Sequence, residues 1–288
     1  MTNITATDVA KLRSQTGAGM MDCKKALEEA GGDMDVAADI LRKKGITKAA
    51  KRADKVASEG LVYGLSTGKV GALVEVNSET DFVANGEDFI NFTKAVTQAV
   101  VDNNVNSVEA LSAVKLPSGQ TVSETLNALT LKLGEKMNIR RIARFEGDLI
   151  SVYLHGTKIG VMVELSGGDV ALGSEIAMHI AAANPKYLTR SEVPTEVLDK
   201  EKEIYAEQLR QQGKPDNIIE NILKGKMDKF YGEICLPEQP FIKDEEKTIQ
   251  KLLTEKGAKV KKFVRYELGE GIEKIAKNFA DEVAEQMG

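Results

Sequence analysis

Tryptophan is absent from this 288-residue chain, and aromatic residues make up only 5% of it. Stacking platforms for sugars or bases are therefore scarce, since such platforms are built from aromatic faces. Only two cysteines occur, Cys23 and Cys235, far apart and without CxxC spacing. They read as reduced thiols of a cytoplasmic protein, with no disulfide framework. Two histidines, His155 and His179, are too few for a familiar zinc set. No apolar run approaches the ~20 residues that span a bilayer. The start, Met1-Thr2-Asn3-Ile4-Thr5, lacks the basic and apolar regions of a signal peptide, so a cytoplasmic location without membrane partners is expected. A net charge of −5 argues against a general nucleic-acid binder, whose affinity rests on neutralising phosphates.

Catalytic motifs are missing as well. Gly64-Leu65-Ser66-Thr67-Gly68-Lys69-Val70 approaches a phosphate-binding loop, but Tyr63 stands at the first glycine position and Val70 where a magnesium-binding Ser or Thr belongs. Gly269-Glu270-Gly271 lacks the third glycine of a dinucleotide fingerprint. No GxSxG, HExxH or Cys–His nucleophile pair is present, and no acids pair convincingly as general acid and base. No enzymatic activity, cofactor or bound metal is expected; the chain reads as a protein that binds.

What is present is organised. Residues 1–45 read as three short helices. Thr5 and Asp8 make a capping box, Gly17 and Gly19 break the first helix, and Asp33 caps the third, with Gly45 suited to stop it. This size resembles ubiquitin-associated domains. Residues 42–55 carry seven basic side chains against one acid, either as the solvated face of a helical linker or as a docking surface for an acidic or RNA partner.

The remainder contains an internal duplication. Residues Gly68–Val76 match Thr157–Leu165 at an offset of 89, each forming the second strand of an expected hairpin and followed by a helix. Residues Arg141–Glu146 match Lys262–Glu267 at an offset of 121, each after a helix, over Thr121–Leu133 and Asp244–Lys256. The offset grows by 32, so a segment of about that length is inserted in the second copy. Two stripes, one of Val197, Leu198, Ile204, Tyr205 and Leu209, the other of Ile218, Ile219, Ile222, Leu223, Met227 and Phe230, predict an antiparallel coiled-coil hairpin over 193–231. The expected class is α+β: the three-helix unit with its basic linker (1–55), core copies at 56–145 and 146–267, and a C-terminal helical module (268–288). In that module Ile272, Ile275, Phe279 and Val283 share one face behind a glycine hinge.

One stretch stands apart. Thr80-Asp81-Phe82-Val83-Ala84 puts an acid beside a large aromatic between a strand and a helix. Either Phe82 folds back into its own core and Asp81 caps the helix, or the pair presents an apolar wedge and an anionic tip to a partner. The offset of 89 places Asp169-Val170-Ala171-Leu172 at the matching positions, without the aromatic.

Together, Leu12–Leu27 with its Thr16-Gly17-Ala18-Gly19-Met20-Met21-Asp22-Cys23-Lys24 run, Glu75–Asn77, Thr80–Ala84, Gly134–Arg141, His155-Gly156, Ala177–His179, Gln239–Phe241 and Gly269–Lys274 closely resemble the bacterial translation elongation factor Ts family over essentially the whole chain. That resemblance implies a guanine-nucleotide exchange factor for elongation factor Tu, bound in its GDP-loaded and nucleotide-free states. Thr80, Asp81, Phe82 and Val83 are implied to disturb the Mg²⁺ and phosphate site of the GTPase. Lys24, Leu133, Gly134, His155, Ile272, Ile275 and Phe279 are implied as further partner contacts, and homodimerisation of the complex stays open. An adapter built on the ubiquitin-associated-like unit and an RNA-binding protein are the alternatives.

Overall fold

The computed structural model describes residues 4–273. Thr5 starts α1 (Ala6–Thr16) by the expected capping box: its hydroxyl accepts the Asp8 amide at 3.2 Å, and the Asp8 carboxylate accepts the Thr5 amide at 3.0 Å. Gly17, with φ of 68°, stops that helix in the left-handed region. Asp33 caps α3 (Met34–Lys51), which packs with α1 and α2 (Met20–Glu29) around Leu12, Cys23, Leu27 and Leu41. Gly45 does not stop α3. It lies mid-helix where α3 crosses a later segment, and a Cβ there would sit 3.0 Å from the Asn127 carbonyl oxygen. A glycine read as a terminator is a close-approach site. Much of the basic stretch therefore forms the last turns of α3.

The duplication is visible strand by strand. In the first copy β1 (Glu59–Ser66) and β2 (Val70–Ser78) form a hairpin, followed by α4 (Asp81–Ala84), α5 (Glu87–Asn103), α6 (Val108–Ser112), α7 (Val122–Leu133) and β3 (Met137–Glu146). The antiparallel sheet has the order β1-β2-β3. The second copy repeats it with β4 (Leu149–His155), β5 (Ile159–Ser166) and α8 (Val170–Ala183). After the insertion come β6 (Pro240–Phe241), β7 (Asp244–Thr248), α11 (Ile249–Glu255) and β8 (Lys259–Glu267), the sheet order being β4-β5-β8. Both sheets bulge at matching positions, between Glu75 and Val76 and between Glu164 and Leu165. The helix expected over Asp244–Lys256 is a correction: its first five residues pair as β7 with β6, and only Ile249–Glu255 is helical. Asp244-Glu245-Glu246-Lys247 has no apolar face to hold a helix on the core.

Strand periodicity builds four layers. Ala72, Val74 and Val76 face α5, burying Phe89, Phe92, Val96 and Val100. Val161, Val163 and Leu165 likewise face α8. Val62, Leu73, Ile150 and Met162 point the other way and join the two sheets. Glycine at matching positions lets the sheets approach: a Cβ on Gly71 would sit 2.6 Å from Ile150, and one on Gly160 would sit 2.6 Å from Val62. Backbone bonds repeat with the same symmetry, Val62 N to Thr157 O at 2.8 Å and Ile150 N to Gly68 O at 2.7 Å.

The insertion is two helices, α9 (Thr195–Gln211) and α10 (Asp216–Ile234), joined by a turn at Gly213. Arg210 lies beside Asp216, and Lys226 lies over the Tyr205 ring, so α10 runs back along α9. Its stems meet where Tyr187 N donates to Ile234 O and Leu236 N to Tyr187 O. Among the described residues no helix is long and apolar enough to cross a membrane. The architecture is α+β.

Candidate functional site

Phe82 is 87% exposed, the most exposed of the large apolar side chains among the described residues. The internal reading of this residue is thereby excluded in the isolated chain. Asp81 is exposed too, and the helix cap is Thr80, whose hydroxyl accepts the Val83 amide at 3.4 Å. Val83 is half-buried and packs on the first core, while Ala84 is buried. Inward Val83 and Ala84 thus anchor a one-turn helix whose outward corner is Asp81 and Phe82. Asn85 ends that turn, and Gly86 begins α5. Asp81 and Phe82 thus stand on α4 just before the helix is interrupted at Asn85 and Gly86.

What holds this corner went unnoticed in the sequence. Glu135, in the α7–β3 turn, accepts the Thr80 amide at 3.0 Å and its hydroxyl at 2.7 Å. In return Glu79 accepts the Lys136 amide at 2.6 Å and a guanidinium N–H of Arg52 at 2.6 Å. The Lys136 ammonium reaches the carbonyls of Ala53 and Lys55 at 2.6 and 2.7 Å. The end of the three-helix unit, the wedge loop and the α7–β3 turn are thereby tied into one knot.

Leu133 and Gly134 lie in this same turn: Leu133 is half-buried against the first core, and Gly134 ends α7 with φ of 80°. The structure thus brings them beside Thr80–Val83. His155 is elsewhere, at the end of β4 in the other sheet, with its ring stacked beside Tyr153. Lys24 lies on α2, paired with Glu28 at 3.8 Å. Ile272 is half-buried; Ile275 and Phe279, and the rest of the expected tail helix, lie outside the described residues.

The glycine hinge before that tail is a second correction. Gly269 N donates to Glu75 at 2.9 Å, the Glu270 carbonyl accepts from Arg140, and Arg141 reaches the Glu267 carbonyl at 2.9 Å. Glu75 is fully buried and also pairs with Arg140 at 3.0 Å and Arg141 at 2.6 Å. Burial works to raise its pKa, but the Gly269 amide and the two guanidiniums outweigh it and hold the carboxyl below its ordinary value. Glycine spacing suggested freedom; a buried carboxylate from the other copy removes it. The only available signal was an acid inside an apolar strand, Val74-Glu75-Val76. Among the described residues no three His, Cys, Asp or Glu side chains gather into a metal site.

The family model described as Elongation factor TS matches residues 79–270, from Glu79 of this knot to the anchored Glu270. An elongation factor Ts of Methylococcus capsulatus is 48% identical over 289 residues, covering 99% of both chains. The chain belongs to the elongation factor Ts family. Another elongation factor Ts, from Nitrosomonas eutropha, is 48% identical over 290 residues, covering 100% of this chain and 99% of the relative. One from Thioalkalivibrio sulfidiphilus is 49% identical over 288 residues, with 98% of each covered. As a member of the elongation factor Ts family, the chain is a guanine-nucleotide exchange factor acting on elongation factor Tu in translation elongation.

Proposed function

We propose that this factor speeds GDP release by pressing Asp81 and Phe82 against the part of the GTPase that supports its Mg²⁺ and phosphate site. The observation that carries the reading is a Phe left 87% exposed on a corner that is capped and anchored. Burying such a ring contributes about 1.5–3 kcal/mol, free energy that the isolated chain leaves unused. Mg²⁺ demands near-ideal octahedral geometry, so a small displacement of its supports weakens it, and GDP phosphates left poorly neutralised depart faster. Linkage sets the cycle: whatever the factor takes from GDP affinity, GDP takes from the affinity for the factor. It therefore binds nucleotide-free GTPase tightly and GDP-loaded GTPase weakly, and no chemical step is needed.

In this reading Lys24, Leu133, Gly134, His155 and the tail with Ile272, Ile275 and Phe279 supply area that holds the factor on while the corner prises. The units at 1–55, 56–145, 146–267 and 268–288 divide this work in the cytoplasm. The three-helix unit acts as a ubiquitin-associated-like module, and the inserted hairpin over 193–231 behaves as a short coiled coil.

Stopped-flow release of fluorescent GDP from elongation factor Tu tests the mechanism. Asp81→Ala with Phe82→Ala slows stimulated release strongly at millimolar Mg²⁺ and much less in chelator, because two perturbations of one site are non-additive. An equal defect in both conditions would move the action of the loop away from the ion.

A further inference from the structure

We propose that Glu135 is a positioning residue for the wedge, acting on nucleotide exchange through Thr80; this rests on the reading that Asp81 and Phe82 do the prising. A helix of four residues, Asp81–Ala84, has almost no stability of its own, because nucleation fixes several dihedrals for one hydrogen bond. Its direction must be imposed at its start. Glu135 does this twice, accepting the amide of Thr80 at 3.0 Å and its hydroxyl at 2.7 Å. Because the hydroxyl proton goes to Glu135, the oxygen lone pairs of Thr80 are left for the Val83 amide, 3.4 Å away. A chain of bonds thus runs from Glu135 through Thr80 to the residue that flanks Phe82. The two bonds to Glu135 have a carboxylate acceptor, which makes them roughly twice the strength of neutral ones.

The duplication separates this role from mere scaffolding. The offsets of 89 and 121 place Gly168 opposite Glu79, Lys256 opposite Glu135 and Gly257 opposite Lys136. In the second copy the same crossing is closed backbone to backbone: a Cβ on Gly167 would sit 2.3 Å from the Gly257 carbonyl oxygen. Asp169 there caps its helix alone, accepting the Leu172 amide at 2.8 Å. The fold therefore closes this corner without a carboxylate clamp. The clamp exists in the copy that carries the aromatic wedge.

The experiment is a cycle of Glu135→Ala and Phe82→Ala in the full chain. It measures maximal GDP release, the half-saturating concentration of the factor and the melting temperature. With the clamp removed, maximal stimulated release falls roughly tenfold, the size expected for losing hydrogen bonds to a charged group. Half-saturation moves little, because the remaining contact area is intact. Added to Phe82→Ala, Glu135→Ala costs much less than it does alone, since Glu135 works through the wedge and only Asp81 is left there to position. Glu135→Gln, which keeps an acceptor for Thr80, recovers part of the rate. Should Glu135→Ala melt below the assay temperature, Thr80→Val replaces it, cutting the same chain at the hydroxyl. Normal release by the Glu135 and Thr80 variants beside a slow Phe82→Ala overturns the proposal, as does full additivity in the double variant. A Phe82→Ala that releases GDP at the normal rate overturns instead the reading on which the proposal rests.

Discussion

The two core copies share strands, bulges and inter-sheet glycines, yet at one corner they diverge. In the first copy Thr80 caps a single turn, Asn85 and Gly86 interrupt it, and α5 starts afresh. In the second, Asp169 caps α8, which runs unbroken from Val170 to Ala183. Ser174 and Glu175 stand where the first copy has Asn85 and Gly86. Val170 and Ala171 stand where it has Asp81 and Phe82, and Val170 is 69% exposed, so this corner faces outward in both copies. A duplicated scaffold thus presents two equivalent corners, and three local changes set one of them apart: a helix break, a large aromatic and a carboxylate clamp. Buried charge differs in the same way. Glu75 with Arg141 and Glu164 with Lys262 occupy matching positions, and their cations lie reciprocally over Tyr266 and Phe145. But Glu75 is fully buried and also holds Arg140 and Gly269, whereas Lys262 stays largely in water.

The largest effect should separate these two acids. Glu75→Ala leaves two half-buried guanidiniums and the Gly269 amide without their shared acceptor. It should cost about 3–5 kcal/mol. Glu164→Ala, at a partly solvated pair, should cost about 0–1 kcal/mol. Denaturant unfolding of both variants measures the gap, and equal losses would mean that the two sites are electrostatically alike.

Next comes the wedge. Phe82→Ala should leave unfolding within about 0.5 kcal/mol of the parent, as for exposed positions. It should also remove about 1.5–3 kcal/mol of the interaction that drives exchange. The reciprocal Ala171→Phe should not restore exchange to a Phe82→Ala protein, because the second corner lacks both the helix break and the clamp. Recovery of GDP release in that double variant would show that the aromatic alone suffices.

A pair of smaller changes tests the symmetric part. Gly71→Ala and Gly160→Ala each put a methyl within 2.6 Å of side chains across the sheet interface. Each should cost about 1–3 kcal/mol by overpacking. Thermal melting should show similar drops, and a loss confined to one variant would break the symmetry.

The smallest effect is one of pH. Position 179 is a histidine where the first copy has Ile90. His179 is fully buried, with Nε2 3.0 Å from the Gln239 side-chain oxygen and Nδ1 3.4 Å from the Ile242 amide. Burial pushes its pKa down from 6.5, against the Gln239 hydrogen bond. The unfolded chain therefore takes up the proton first, and stability should fall as pH drops below about 6.5, by at most ~1.4 kcal/mol per unit. Glu75 acts lower: its depressed pKa contributes stability present above about 4.5 and lost as pH falls through its folded value. Unfolding titrated with pH should show the first phase abolished in His179→Gln and the second retained.

Sequence periodicity determined much of this molecule. The matching apolar runs in Gly68–Val76 and Thr157–Leu165, the offsets of 89 and 121, and the turn at Gly213 defined two hairpins, the helices after them and an inserted helical pair. Thr80–Ala84 was legible as an unusual loop because an aromatic beside an acid breaks the usual use of surface. Periodicity reports which face of an element is apolar, but not which distant surface meets it. Only the tertiary structure decided that Phe82 stays outside, that Gly45 is a crossing point rather than a stop, and that Gly269 is tied down rather than free. The clamp and the anchor join residues 55 and 194 positions apart, Thr80 to Glu135 and Glu75 to Gly269. Single polar side chains at such separations leave no period in the sequence. Their bonds form only after hydrophobic burial has brought these distant segments together and reduced the competition from water.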